Sequence, residues 1–208
     1  MARLIISYDC EGIWGMLDHL DNLDPEVFNR KRLFDIYIDL LNLHKKYDLK
    51  ATFAFVSAFI ISRQEFFKHI DNFPSADSVL RWIEPIVKCN HKFKDSDMFI
   101  PELIDLVKEN EINHEIASHG FSHTIMQNFI DEESLNLEIS GIKKVAKKHN
   151  ISIDTMIFPR NIINYNFLNK ASFLKAYRRP PRNPYKKPIM RTIYSLLKEI
   201  NLFVPSEV

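Results

Sequence analysis

The chain has 208 residues, of which 46% are apolar and 26% charged, with 16 phenylalanines. That size and balance fit one domain around a sizeable core, since chains divide into several cores only beyond ~250 residues, and they exclude a disordered or fibrous chain. A formal net charge of +1 excludes the overall basic field that marks nucleic-acid or anionic-membrane binding, so no nucleic-acid partner is expected.

Met1 to Ser7 run straight into a strand-like segment, too short for the apolar region of a signal peptide and without a small-residue cleavage site. No apolar run approaches the ~20 residues that span a bilayer, and the expected location is the cytoplasm. A reducing compartment fits the two cysteines, Cys10 and Cys89, which form no Cys/His cluster of structural-zinc spacing.

The β-branched and apolar run Leu4–Tyr8 predicts a strand, and amphipathic spacing predicts a helix over about Lys31–Tyr47. Ala51–Val56 reads as a second, buried strand. Pro101–Glu109 reads as a helix with proline in its first turn, and Asn113–Ala117 as the next strand. A long helix is predicted at Asp131–His149, with Asp131 as N-cap, apolar residues at Leu135, Ile139, Ile142 and Val145, and lysines near its end. Thr155–Phe158 is the fourth strand. Two stretches break this rhythm: a polar excursion from Asp71 to Asp97, taken as an irregular insertion over about 71–99, and the region beyond Tyr177 with Pro180, Pro181, Pro184 and Pro188. Alternating β and α segments imply an α/β fold with a mainly parallel sheet, in a single domain over 1–208, either open and doubly wound or closed as a barrel.

Three strand ends carry residues with chemical potential. After the first strand, Asp9 and Glu11 stand at i and i+2, which places both carboxylates on one face. Taken alone, such a pair is also what a solvated strand-end turn looks like. Of the four glycines in the chain, Gly12, Gly15 and Gly120 lie beside candidate site residues, where close backbone approach or positive φ is needed. After the third strand, His119 and His123 stand at i and i+4 and can converge on one ion if the turn enters a helix. His114-Glu115-Ile116-Ala117-Ser118 begins like a zinc-protease HExxH, but Ser118 stands where the second histidine belongs. After the fourth strand, Phe158-Pro159-Arg160-Asn161 supplies an arginine able to pair with a carboxylate and hold it ionised. His19, His44, His69, His91 and His149 are read as residues of loops or polar helix faces, and His114 as pointing into the core or the opposite end.

The ordered set Ser7-Tyr8-Asp9-Cys10-Glu11-Gly12-Ile13-Trp14-Gly15, Ala51-Thr52-Phe53, His119-Gly120-Phe121-Ser122-His123 and Phe158-Pro159-Arg160-Asn161 resembles the polysaccharide deacetylases. This is the NodB-homology group, carbohydrate esterase family 4, and the set looks closest to its branch from capsule and O-antigen loci. The resemblance implies a distorted (β/α) TIM-like barrel with the site at the C-terminal strand ends. It implies hydrolysis of an acetyl group, N-acetyl before O-acetyl, from a sugar or glycan precursor, with a divalent metal, zinc by preference. His119 and His123 would be metal ligands and Glu11 the third, with Asp9 as general base. The family's commoner pattern has the two acids adjacent, so the intervening Cys10 leaves an exchange of their roles open. Arg160 would orient and ionise the base, Pro159 would wall the substrate groove beside Asn161, and Trp14 would stack on a sugar ring.

The family's later part supplies the last barrel strands and a histidine that acts as general acid, yet no histidine follows His149. Leu202 to Ser206 reads as one more strand beginning. A C-terminally shortened member is therefore expected, with an open sheet edge that favours self-association. Two other readings stand beside it: a barrel-type amidohydrolase acting on a small amide, and a non-catalytic remnant serving as a binding partner.

Overall fold

The computed structural model describes residues 5–88 and 92–179. The start of the first expected strand at Leu4, Cys89, His91, the prolines from Pro180 onward and the expected strand at Leu202–Ser206 lie outside them.

Among the described residues, five strands, β1 (Ser7–Cys10), β2 (Thr52–Phe55), β3 (Glu115–Ser118), β4 (Thr155–Met156) and β5 (Ala176–Tyr177), form one sheet in sequence order. Every neighbouring pair is parallel, so each connection must cross over the sheet. Helix α1 (Arg30–Tyr47) makes the first crossover. The second holds α2 (Arg63–Ile70), α3 (Asp77–Trp82), α4 (Glu84–Val87), α5 (Asp95–Met98) and α6 (Leu103–Lys108). The third is α7 (Glu132–His149), and the fourth holds α8 (Tyr165–Lys170). Among the described residues, the stretch expected to be irregular, from Asp71 to Asp97, holds three short helices, none longer than two turns, joined by irregular chain. Among the described residues no helix is long and apolar enough to cross a membrane.

The long helices begin and end where short-range chemistry stops them. Asn29 accepts a hydrogen bond from the Arg32 amide at 3.0 Å, and Asp48 closes α1 in the left-handed conformation. The expected cap of α7 is present: Asp131 accepts from the Ser134 amide at 2.7 Å. The same carboxylate accepts from the Ser78 amide of α3 at 2.9 Å, so one cap also ties two helices together. Burial works against its charge, but these serine hydrogen bonds win and hold its carboxyl at about 2.

The two faces of the sheet differ. Tyr8, Cys10, Phe53 and Phe55 face the helices, where Tyr8 meets His44 at 2.9 Å and Tyr37 lies 6.2 Å from both phenylalanine rings. His44 and His69 are buried rather than on polar helix faces. His44 Nδ1 meets the Leu49 carbonyl at 2.7 Å, and His69 Nε2 meets that of Leu137 at 3.0 Å. His114 packs among His44 and Phe53 at the N-terminal end of β3, as expected. On the opposite face Ala54, Ala117 and Ile157 make a small cluster of their own. Laid flat, β1 and β5 would stand about 19 Å apart, four ladder spacings of ~4.8 Å. Yet Arg178, one residue past β5, donates to both oxygens of Asp9 in β1 at 2.8 Å. The sheet therefore curls, although no ladder of hydrogen bonds joins its first and last strands among the described residues.

Candidate metal centre

Glu11 and His119 are each the first residue beyond a strand, β1 and β3, on either side of β2. The Glu11 side chain folds back over the following turn into space that exists only because position 15 is glycine. A Cβ there would lie 2.3 Å from the Glu11 carboxyl carbon and oxygen.

The loop from His119 to His123 is shaped from below by α7. Glu138, fully buried, accepts from the Phe121 amide at 2.6 Å and from the Ser122 amide at 3.0 Å, and also bonds the Ser122 hydroxyl. One turn on, Gly141 admits the Phe121 ring, which would meet any Cβ at that position at 2.3 Å. From the β2 side, the Ser57 and Ala58 amides hold the Gly120 and Phe121 carbonyls at 3.0 and 2.8 Å. Gly120 takes φ +86, and His123 takes φ +63 without being glycine, a strained conformation that persists only where its surroundings fix it. The histidines converge through this left-handed turn and not through the helical turn expected from their spacing.

Glu11, His119 and His123 present ligand atoms all within 4.8 Å of one another. Nε2 of His119 lies 3.1 Å and Nε2 of His123 2.8 Å from the same Glu11 oxygen. His119 Nδ1 faces the Ile157 carbonyl at 2.8 Å, and a carbonyl only accepts, so Nδ1 carries the proton. A neutral His119 then offers a bare lone pair towards a carboxylate. Burial favours the neutral Glu11, but the hydrogen bonds and charges of the two histidines outweigh it and hold the carboxyl at about 2. Burial meanwhile holds the His123 imidazole below its ordinary 6.5 despite Glu11. One carboxylate oxygen and two imidazole nitrogens are a donor set that zinc sites use. His123 Nδ1 is buried without a hydrogen-bond partner among the described residues, so no other group competes to fix its tautomer.

The other expected site residues divide. Asp9, 34% exposed, is clamped by Arg178, whose Nη1 also donates to Ser7 Oγ at 3.1 Å and whose Nη2 reaches Asn161 Oδ1 at 3.3 Å. Asn161 is thereby placed beside Asp9. Arg160 does not make the pairing expected of it. Its backbone turns through φ +52, and its guanidinium pairs with Asp18 and lies 5.6 Å over the Trp82 ring. Trp14 is not available to a sugar: it is 0% exposed, wedged between Phe66 and Phe99, with its Nε1 donating to the Met98 carbonyl at 2.7 Å. An apolar residue three past Glu11 faces the core once the chain turns inward. Pro159 is buried near Gly120, where its Cγ would stand 3.6 Å from an added Cβ.

Three residues at the site escape the sequence reading. Arg178 lies where proline density suggests irregular chain. Trp82, tilted against His123 with centroids 5.8 Å apart, lies in the polar excursion. Glu138 had a legible signal: it is an acid on the apolar face of α7, among Leu135, Ile139 and Ile142.

The sequence profile described as polysaccharide deacetylase matches residues 34–177, a span that includes both histidines and ends just short of Arg178. No curated protein matches the chain. Among solved structures, the chain is similar to BA3943, a CE4 family pseudoenzyme from Bacillus anthracis, at 13% identity and a TM-score of 0.42, over 69% of this chain and 38% of that one. A BA3943 mutant with restored enzymatic activity aligns at 15% identity and a TM-score of 0.42, over 84% of this chain and 43% of that one. The chain thus spans less than half the length of either. With the family profile covering most of its length, the chain belongs to the polysaccharide deacetylase family.

Proposed function

We propose that the protein removes an acetyl group, N-linked before O-linked, from a sugar by metal-dependent hydrolysis, with zinc as the preferred ion. The observation that carries this reading is the convergence of the Glu11, His119 and His123 ligand atoms within 4.8 Å of one another. Glu11, His119 and His123 would hold a divalent ion, which when bound would lower the pKa of a water towards about 7 and polarise an acyl carbonyl.

The chain's own residues supply the rest. Asp9 takes the proton of the attacking water as general base, and the two-point grip of Arg178 fixes the orientation of its carboxylate. Arg178 thus serves as the positioning residue assigned on sequence to Arg160. Arg160, beside Asp18 and Trp82, stands at the rim, where it meets substrate. Asn161 and Pro159 border the acetyl-bearing ring. The reach of Arg178 from β5 to β1 also supports reading the curled sheet as part of a (β/α) barrel.

The test is acetate release from a panel of N- and O-acetylated sugars and small acetylated amides, with and without chelator, and with zinc restored. Chelator-sensitive release from sugars supports the proposal. Release from small amides alone would favour an amidohydrolase, and stoichiometric zinc with no turnover on any substrate would leave a binding role.

A further inference from the structure

Helix α1 carries a second apolar surface besides the one it turns to the sheet. Its buried residues are Tyr37, Leu41 and His44. Leu33, Ile36, Leu40, Leu43 and Tyr47, spaced alternately by three and four, form a stripe along one shoulder of the helix, the spacing of a seam that packs against another helix. Leu33 and Leu40 are half-buried against the core, but Ile36, Leu43 and Tyr47 are 53%, 50% and 58% exposed. The other side of the helix is occupied: Arg30 pairs with Glu102 at 3.1 Å and Lys45 with Glu111 at 2.5 Å, on either side of α6. Ahead of α1, exposed Val27 and Phe28 extend the patch, and between them and Leu33 and Ile36 lies a cavity of about 330 Å³ that reaches Gly12 and Ile13.

The two ends of the stripe differ in shape. One end holds the cavity and the other two projecting side chains, Leu43 and Tyr47. Such a surface complements itself when turned about a two-fold axis, which sets the projections of each copy over the cavity of the other. The charges follow the same symmetry. Arg32 and Asp39 flank the stripe two helical turns apart, both exposed, and among the described residues neither side chain has an ion pair, unlike Lys31 and Asp35 at 2.8 Å. With the axis at Ile36, antiparallel copies bring Arg32 of each beside Asp39 of the other, Leu33 beside Leu40, and Leu43 beside Phe28 and the cavity. A single register therefore matches the apolar layers, both charges and the cavity. From Val27 to Tyr47 the patch runs roughly 30 Å at ~1.5 Å per helical residue, and two copies laid along it bury on the order of 1,000 Å² in total, the lower bound for a specific interface. That area fits a reversible dimer and not an obligate one.

We infer that the protein forms a two-fold symmetric dimer through the exposed shoulder of α1, with a second copy of this chain as the partner. The contact lies on the helical layer and not at the sheet edge from which self-association is expected on sequence, and it needs nothing of the metal chemistry.

Sedimentation equilibrium of the full 208-residue chain, from micromolar to near-millimolar concentration, should show a monomer–dimer equilibrium in the micromolar range. Leu43→Glu sets a charge against the facing copy at two places in a two-fold interface and should weaken the dimer at least ~100-fold. Its circular dichroism and thermal midpoint at submicromolar concentration should match the wild type, because the position is half exposed. Arg32→Glu or Asp39→Arg alone sets like charges together and should weaken the dimer about 10-fold, while the combined Arg32→Glu and Asp39→Arg variant should return to within about 3-fold of the wild type. A chain that stays monomeric throughout the range, as it would if its own residues 180–208 covered the stripe, overturns the inference. So does a dimer that Leu43→Glu leaves intact, or one that the combined charge exchange fails to restore.

Discussion

Glu138 is the residue whose removal should separate the shape of the metal loop from the ligands themselves. In Glu138→Ala the Phe121 and Ser122 amides lose their acceptor while both residues remain fully buried. Each orphaned buried donor costs ~1–3 kcal/mol, whereas the Ser122 hydroxyl can still bond Thr124. The gross loss is about 2–6 kcal/mol. Part is recovered because a buried carboxylate is itself costly, as the rise of the Glu138 carboxyl above its ordinary 4.5 on burial shows. A net loss of about 2–4 kcal/mol leaves a protein of ordinary stability, ~5–15 kcal/mol, folded. With the anchor gone, His123 can relax from its left-handed conformation, and zinc affinity should fall about 10–100-fold, as when a residue that orients a ligand is lost. Glu138→Gln keeps one acceptor oxygen and should show about half the stability loss. The sign of the pH dependence follows from the raised carboxyl. The folded state binds the proton more tightly than the unfolded chain, so this group contributes most below pH 4.5, and its contribution falls as pH rises towards the folded value. Urea denaturation from pH 4 to 8 and zinc titration monitored by a competing chelator measure both effects. An Ala variant with unchanged urea midpoint and unchanged zinc affinity would refute the reasoning.

Gly15→Ala should fold normally but bind zinc at least 10-fold more weakly, because the new Cβ displaces the end of the half-buried Glu11 side chain, not backbone; undiminished binding in the same titration would show that Glu11 adapts. Arg178→Gln should lower kcat about 100-fold with little change in KM, the cost of misplacing a catalytic group by about 1 Å, whereas Arg160→Gln should act mainly on KM. The reverse ranking in steady-state kinetics would return the positioning role to Arg160. Asp9→Asn should keep its zinc and lose acetate release, while Glu11→Gln should lose the zinc; metal analysis after dialysis distinguishes these from exchanged roles. Asp131→Ala should cost about 1 kcal/mol at neutral pH once solvent screening is allowed for. Because the folded carboxyl lies at about 2 and the unfolded one at 3.8, that stability is present above about pH 4 and disappears as pH falls towards 2. Parallel acid titrations of the denaturation midpoint of variant and wild type should therefore converge at low pH.

What could be read from the sequence was what local chemistry fixes. Helix α1 begins one residue from its predicted start, and α7 has its predicted cap and end, because N-caps and left-handed C-caps act within a few residues. The proximity of Glu11, His119 and His123 was legible because Glu11 and His119 directly follow strands and His123 lies four residues on, with Gly12, Gly15 and Gly120 beside them, although which acid would be the ligand came only from the resemblance. Partners supplied by distant elements were not. Arg160 and Arg178 both follow short strands, and nothing local says which guanidinium reaches Asp9; the curl of the sheet decides it. Trp14 illustrates the converse failure, since motif position suggested exposure while the inward turn after Glu11 packs the ring against Phe66 and Phe99. The stretch from Asp71 to Asp97 looked irregular because its helices are too short to show a 3.6-residue period.

The register of the sheet gives a physical reason for dividing roles between the two acids. Asp9 lies opposite Ala54, and Ala54 opposite Ala117, so these three share one layer across β1, β2 and β3. Two residues further along, on the same face, stand Glu11 and His119. Glu11 and His119 therefore occupy one layer at the strand ends, while Asp9 lies a layer below, about 6.7 Å back along the strand. Of the two acids, Glu11 shares the layer of His119, which supports its proposed role as ligand. A base must instead stand off from the ion by about the width of a water molecule and its hydrogen bond, and a carboxylate one layer down can do so only if no bulky neighbour fills the space. Ala54 and Ala117 put only methyl groups in the layer of Asp9, where they cluster with Ile157. Cys10, between the acids, is what keeps them in phase: it points to the helix side, where burial pushes its thiol up to about 12 and leaves it chemically inert. Two directly adjacent acids within this strand would send one of them into that apolar layer, so the separation by a single buried residue is itself part of how the chain builds the site.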